Sequence, residues 1–154
     1  MKVRKLAALI LAAAVMIALA ASSVFTASAA NNIRAFGQQE TLSDHVTGAP
    51  MIGYTVNGLM PSSDAVPHNG RLYEATVTVD ALGGWAAPLI PLFNARAENG
   101  QTYRVIADAP GGLSGAAVPP GVSTTGKLYF DVVGDDPNSV VYNDGVQDLL
   151  VWVS

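Results

Sequence analysis

Apolar and polar residues alternate through much of the chain. "LYEATVTVDA" (72–81) sets Tyr73, Ala75, Val77 and Val79 on one face, with Glu74, Thr76, Thr78 and Asp80 on the other. Period two, carried by β-branched and aromatic residues, predicts a half-buried strand, because successive strand side chains point to opposite sides. "KLYFDVV" (127–133) repeats the device, with Leu128, Phe130 and Val132 opposite Lys127, Tyr129 and Asp131. "MIGYTVNGL" (51–59) adds Ile52, Tyr54 and Val56. "DLLVWV" (148–153) is almost wholly apolar, which predicts a strand covered on both faces or lying inside a sheet, with Trp152 in the core. Val140 to Tyr142 reads as a short strand or a connector.

Turn signals separate these segments: Pro61-Ser62-Ser63-Asp64, His68-Asn69-Gly70, Gly83-Gly84, Pro110-Gly111-Gly112, Pro119-Pro120-Gly121, Asp135-Asp136-Pro137 and Asn143-Asp144-Gly145. Sustained helical periodicity is missing after the N-terminal region. About seven or eight short strands with regular turns predict an all-β domain, an antiparallel β-sandwich or barrel. The domain should run over 49–154, with 30–48 as a loose lead-in.

"FNARAENGQTYRV" (93–105) predicts a hairpin. A three-residue loop, Glu98-Asn99-Gly100, with Gly100 in the left-handed region, pairs Phe93 with Val105 and Ala95 with Tyr103. That register gathers the apolar residues on one face and Asn94, Arg96, Thr102 and Arg104 on the other. A slip of one residue would mix them.

The first 29 residues belong to a different kind of segment. Lys2, Arg4 and Lys5 precede an apolar run from Leu6 to Ala21, and Ala27-Ser28-Ala29 fits an A-x-A cleavage site. This predicts a secretory signal peptide cleaved after Ala29. A membrane anchor is the competing reading, disfavoured by the small-residue end and by the absence of a basic flank beyond it. The product is then extracellular, with no stable membrane anchor. Beyond residue 29 five basic residues face twelve acidic ones, a formal charge of −7. Such a chain repels nucleic acid and anionic membranes. There is no cysteine. Disulfides, thiolate zinc sites and thiol chemistry are therefore excluded, and the core alone must hold the fold.

"FNAR…NG..YRV" (93–105), "SGAAVP" (114–119), "TGKLYFDVVG" (125–134) and "NDGVQDLLVW" (143–152) together resemble the mycobacterial secreted immunogenic protein (antigen MPT sixty-three) family. The likeness extends less tightly through "YEATVTV" (73–79). It implies a secreted immunoglobulin-like sandwich of the telokin type, from mycobacteria or related actinobacteria. It also implies an antigen without established enzymatic activity, cofactor or catalytic residues. A host-interaction role follows from fold analogy alone. The pattern departs before residue 50 and in loops 59–70 and 82–91, where a sandwich places its binding groups.

Candidate chemistry is sparse. His45 and His68 fall in turns, and Asp44 beside His45 would point the other way on a strand. Ser114 lacks the spacing of a nucleophile elbow. A weak hydrolase with an unusual site is thus a remote alternative. Asp135 and Asp136 in one turn, with Asp144 and Asp148 around another, could converge on calcium, although such residues also serve turns. A small-ligand or calcium-binding module is the other alternative. Asn94, Arg96 and Arg104 could receive a carboxylate, or the arginines could pair with Glu98, Glu74 or Asp131. "GGWAAPLIPL" (83–92) either holds Trp85 outward as an anchor for an extracellular protein partner or folds it down onto the core.

Overall fold

The alternating segment around Val77 becomes the centre of a sheet. The computed structural model describes residues 33–154. The signal peptide read over 1–29, with its cleavage point, lies outside the described residues. Nine strands follow in order: β1 (Ile33–Ala35), β2 (Gln39–Ser43), β3 (Pro50–Pro61), β4 (Arg71–Ala81), β5 (Phe93–Ala97), β6 (Thr102–Arg104), β7 (Ser123–Val132), β8 (Pro137–Asn143) and β9 (Asp148–Val153). They form one sheet of order β2-β3-β4-β7 and a second of order β1-β9-β8-β5-β6. A 3₁₀ turn, Ile90–Leu92, precedes β5. Among the described residues no helix is long and apolar enough to cross a membrane.

The inner faces are those the alternation predicts. Tyr54, Val56, Tyr73, Ala75, Val77, Val79, Leu128, Phe130 and Val132 meet Phe93, Ala95, Ala97, Tyr103, Val140, Tyr142, Leu150 and Trp152 in one core. The hairpin register also holds: Asn94 faces Arg104, Ala95 faces Tyr103 and Arg96 faces Thr102. Gly100 has φ +88°, the left-handed value the three-residue loop requires. Val105, however, leaves β5 and bridges Phe130 on β7, helping to close the sandwich at that edge.

One expectation needs correction, and two features go beyond the sequence reading. The lead-in 30–48 is not loose throughout, because β1 and β2 lie in it. β1 adds to the edge of β9, and the Gln38 carbonyl accepts the indole N–H of the fully buried Trp152 at 2.9 Å. Nor are the sheets wholly antiparallel, since β1 runs parallel to β9. Finally, the outer face of β4 and β7 is not simply solvated. Loop 62–70 folds over it, and Val66 covers Leu72 and Tyr129 in a second apolar cluster.

Two close contacts constrain this arrangement. A Cβ on Gly126 would lie 2.5 Å from the Leu113 Cα, where the Leu113 N–H donates to the Lys127 carbonyl at 2.8 Å. Glu40 on β2 is only 7% exposed, and its Oε1 has no hydrogen-bond partner. Arg34 Nε stands 3.9 Å away. Burial pushes the Glu40 carboxyl above its ordinary range, with Arg34 opposing that shift.

Gly126→Ala should cost about 1–3 kcal/mol by overpacking, whereas Gly115→Ala, with only an Ile90 methyl at 3.8 Å, should change little. Equal melting midpoints for the two variants would refute the close-packing argument. Because the Glu40 pKa is raised in the folded state, its contribution to stability is present below the ordinary carboxylate value and lost as pH rises through the raised one. Glu40→Gln should therefore raise the midpoint at neutral pH, and the gain should fade as pH drops through the raised value and be gone below about 4.5. No gain at neutral pH would count against this account.

Candidate functional site

Strand directions bring turns 44–49 and 144–147, loop 82–92 and the last part of loop 105–122 to one end of the sandwich. Six of the nine exposed large apolar side chains among the described residues lie there: Val46, Leu82, Trp85, Leu89, Val122 and Val146. Exposure of a contiguous apolar region costs solubility and marks interaction surfaces.

Loop 82–92 explains the position of Trp85. The N–H groups of Leu82 and Gly83 donate to the Met51 carbonyl at 3.0 and 3.2 Å. On the other side, Ala86 and Val118 exchange backbone hydrogen bonds of 3.0 and 2.7 Å. Trp85 is thus held between two tethers, with its side chain 68% exposed. Gly83 is required at the first tether, because a Cβ there would sit 2.6 Å from the Pro50 carbonyl oxygen. Pro88 and Pro91 keep the remainder out of a ladder, while Ile90 and Leu92 return to the core.

The two arginines of the β5–β6 hairpin have different surroundings. Arg96 forms a two-pronged pair with Asp148 at 2.6 and 2.7 Å and donates from Nε to Asn94 Oδ1 at 3.0 Å. Asn143 Nδ2 donates to the same Asp148 at 2.7 Å. The Arg96 hydrogen bond, followed by that of Asn143, holds the Asp148 carboxyl below the usual range despite partial burial. The partners expected from sequence were Glu98, Glu74 and Asp131. The last two lie on the other sheet, beyond reach. Arg104 is exposed and makes no ion pair among the described residues.

The acidic turns do not converge. The seven residues of β8, at about 3.4 Å each, hold Asp135 and Asp136 at one end and Asp144 and Asp148 at the other. Asp135 accepts from Asn99 Nδ2 at 2.6 Å, and Asp136 pairs with Arg71. Asp144 accepts the N–H groups of Val146 and Gln147, each at 2.8 Å, which lowers its pKa. Among the described residues no group of three or more His, Asp or Glu side chains is placed to hold one metal ion. His45 and His68 lie beyond opposite ends of the twelve-residue β3. His68 Nδ1 is 2.7 Å from the Val66 carbonyl, and Ser114 Oγ accepts from the Ala116 N–H. Neither histidine is hydrogen-bonded to a serine, as nucleophilic catalysis would need.

One polar cluster escaped the sequence reading. Lys127 Nζ lies 2.7 Å from Asp64 and 3.0 Å from Glu74, and Tyr129 donates to Asp64 at 2.6 Å. Ser62 donates to Glu74 at 2.5 Å. These contacts pin loop 62–70 onto the outer face of β4 and β7. The available signal was the run of polar outward positions on both strands. Sequence distance hid their partner loop.

The DUF1942 family, a domain of unknown function, matches residues 31–152. Immunogenic protein MPB63 of Mycobacterium bovis is 38% identical over 159 aligned positions, covering 96% of this chain and 98% of the relative. Immunogenic protein MPT63 of Mycobacterium tuberculosis matches to the same extent. The crystal structure of MPT63, a secreted protein, superposes with a TM-score of 0.73 at 38% identity, covering 79% of this chain and 96% of that one. The yjhA protein of Bacillus subtilis, at 18% identity, shares the fold with a TM-score of 0.52, over 75% of this chain and 86% of its own.

With its acidic turns apart and engaged locally, the protein should melt at the same temperature in millimolar calcium as in chelator. A midpoint that climbs with calcium concentration would reinstate a cation site.

Proposed function

This chain belongs to the DUF1942 family, and we propose that it acts outside the cell as a non-enzymatic immunoglobulin-like domain. It contacts another protein through its apolar end. The observation that carries this reading is Trp85, held outward between two backbone tethers on a loop that also exposes Leu82 and Leu89. A large, rigid aromatic side chain loses little conformational entropy on binding, which is why such residues dominate interface energetics. Export is supported by the basic, apolar and small-residue leader and by the secreted state of MPT63. An antigen-like role is consistent with the names of the mycobacterial relatives. The absence of a hydrogen-bonded serine–histidine pair among the described residues favours a binding role over a hydrolytic one.

The two tryptophans supply the test. Trp152 is buried, so the quencher-accessible part of the emission belongs to Trp85. A protein captured from the surrounding medium should shift that emission to the blue and shield it from acrylamide. Trp85→Ala should weaken capture by about tenfold or more, and Val133→Ala, exposed at the opposite end of the sandwich, should leave it unchanged. Equal capture by the wild type and Trp85→Ala would sink the proposal.

A further inference from the structure

We propose that the cleft beside β6 binds a small monocarboxylate with an aliphatic body, with Arg104 as its charge partner and the Asn94 amide as its second donor. The cleft has a volume of about 380 Å³, and its lining includes Leu92, Asn94, Arg104, Val105, Ala107 and Asp144. Trp85 is not in its lining, although Leu92 and turn 144–147 belong to the same end of the sandwich, and the inference does not rest on the protein-partner reading.

The Asn94 amide is the informative group. Asn94 is only 8% exposed, yet its spare donor is not sealed in the protein, because the one buried side-chain atom without a partner among the described residues is Glu40 Oε1. Arg96 Nε can only donate, so the atom it meets at 3.0 Å must be the amide oxygen. That bond is itself fixed, because the rest of the guanidinium is locked onto Asp148. A planar amide with its oxygen turned to Arg96 must turn Nδ2 away from it. Nδ2 makes no hydrogen bond among the described residues, and its residue lines the cleft. Directly across the strand pair stands Arg104. Opposed cross-strand Cβ atoms are about 4.5–5.5 Å apart, close enough for both side chains to serve one ligand group.

Charge narrows the ligand further. Arg104 makes no ion pair, whereas Arg96 is already committed, so one guanidinium is available. Its fork suits a carboxylate. Asp144 lines the same cleft and remains ionised, since the Val146 and Gln147 N–H groups hold its pKa down. One cation facing one fixed anion tolerates a singly charged ligand and repels phosphate dianions. Leu92, Val105 and Ala107 give an apolar wall for the aliphatic part.

Titration of the ¹⁵N-labelled protein with hexanoate, hexylamine and inorganic phosphate tests this. Hexanoate should move the Asn94 side-chain amide and Arg104 Nε–H resonances saturably at millimolar concentration, and the other two compounds should not. Arg104→Gln should weaken hexanoate binding about tenfold or more while the rest of its spectrum stays that of the native fold. Trp85→Ala should leave hexanoate binding intact, which separates this site from the partner surface. The proposal is overturned by silence of those resonances with hexanoate, by an equal response to phosphate, or by undiminished binding in Arg104→Gln.

Discussion

The two sheets are locked together by a cluster of aromatic rings. Tyr54 on β3 meets Phe93 on β5 edge to face, with centroids 5.3 Å apart, and lies 5.3 Å from Tyr142 on β8. Phe93 in turn meets Tyr142 at 5.0 Å and stacks near Trp152 at 6.4 Å. Each such pair adds about 0.5–1.5 kcal/mol beyond the area it buries. In a chain without cysteine this cluster takes the place of a covalent staple between layers. Burial, with the neighbouring Tyr142, pushes the Tyr54 phenol upward, so it stays neutral in the core. Phe93 begins β5 and Tyr142 nearly ends β8, so the rings form a rigid floor beneath the apolar end. Loops that rise from such a floor can hold a side chain such as Trp85 in water without folding it inward.

Electrostatics acts at a second level. Arg71–Asp136, Arg96–Asp148 and Lys127 with Asp64 and Glu74 each join segments more than fifty residues apart. Their exposed or half-exposed positions leave each screened by water and weak as a source of stability. Their effect is on geometry: they fix where loop 62–70 and the β5–β6 hairpin lie against the sheets. The Arg96 pair has the further effect of orienting Asn94.

Much of this was legible in the residues themselves. Strands β3, β4 and β7 announced their inner faces through alternation, and the hairpin register followed from keeping Ala95 and Tyr103 on one side. What escaped had a common cause, dependence on distant chain. Ile33–Ala35 is too short to show a period and becomes a strand only because β9 offers an edge. Tyr129 sat at an outward position, yet loop 62–70 covers it. The partner of Arg96 is 52 residues away, so nearby acids were better guesses from spacing than Asp148. Trp85 could have faced either way, because glycines and prolines remove the pattern that settles orientation elsewhere.

The parallel pairing of β1 with β9 has a consequence for when the fold can form. Ile33 lies beside Val151, and the Phe36 N–H donates to the Val153 carbonyl at 3.0 Å, so the first strand waits for the last. Contacts of such sequence separation close slowly. A nascent chain lacking its final residues cannot complete the five-stranded sheet or seat Trp152. That delay leaves the chain pliable until β9 has been made.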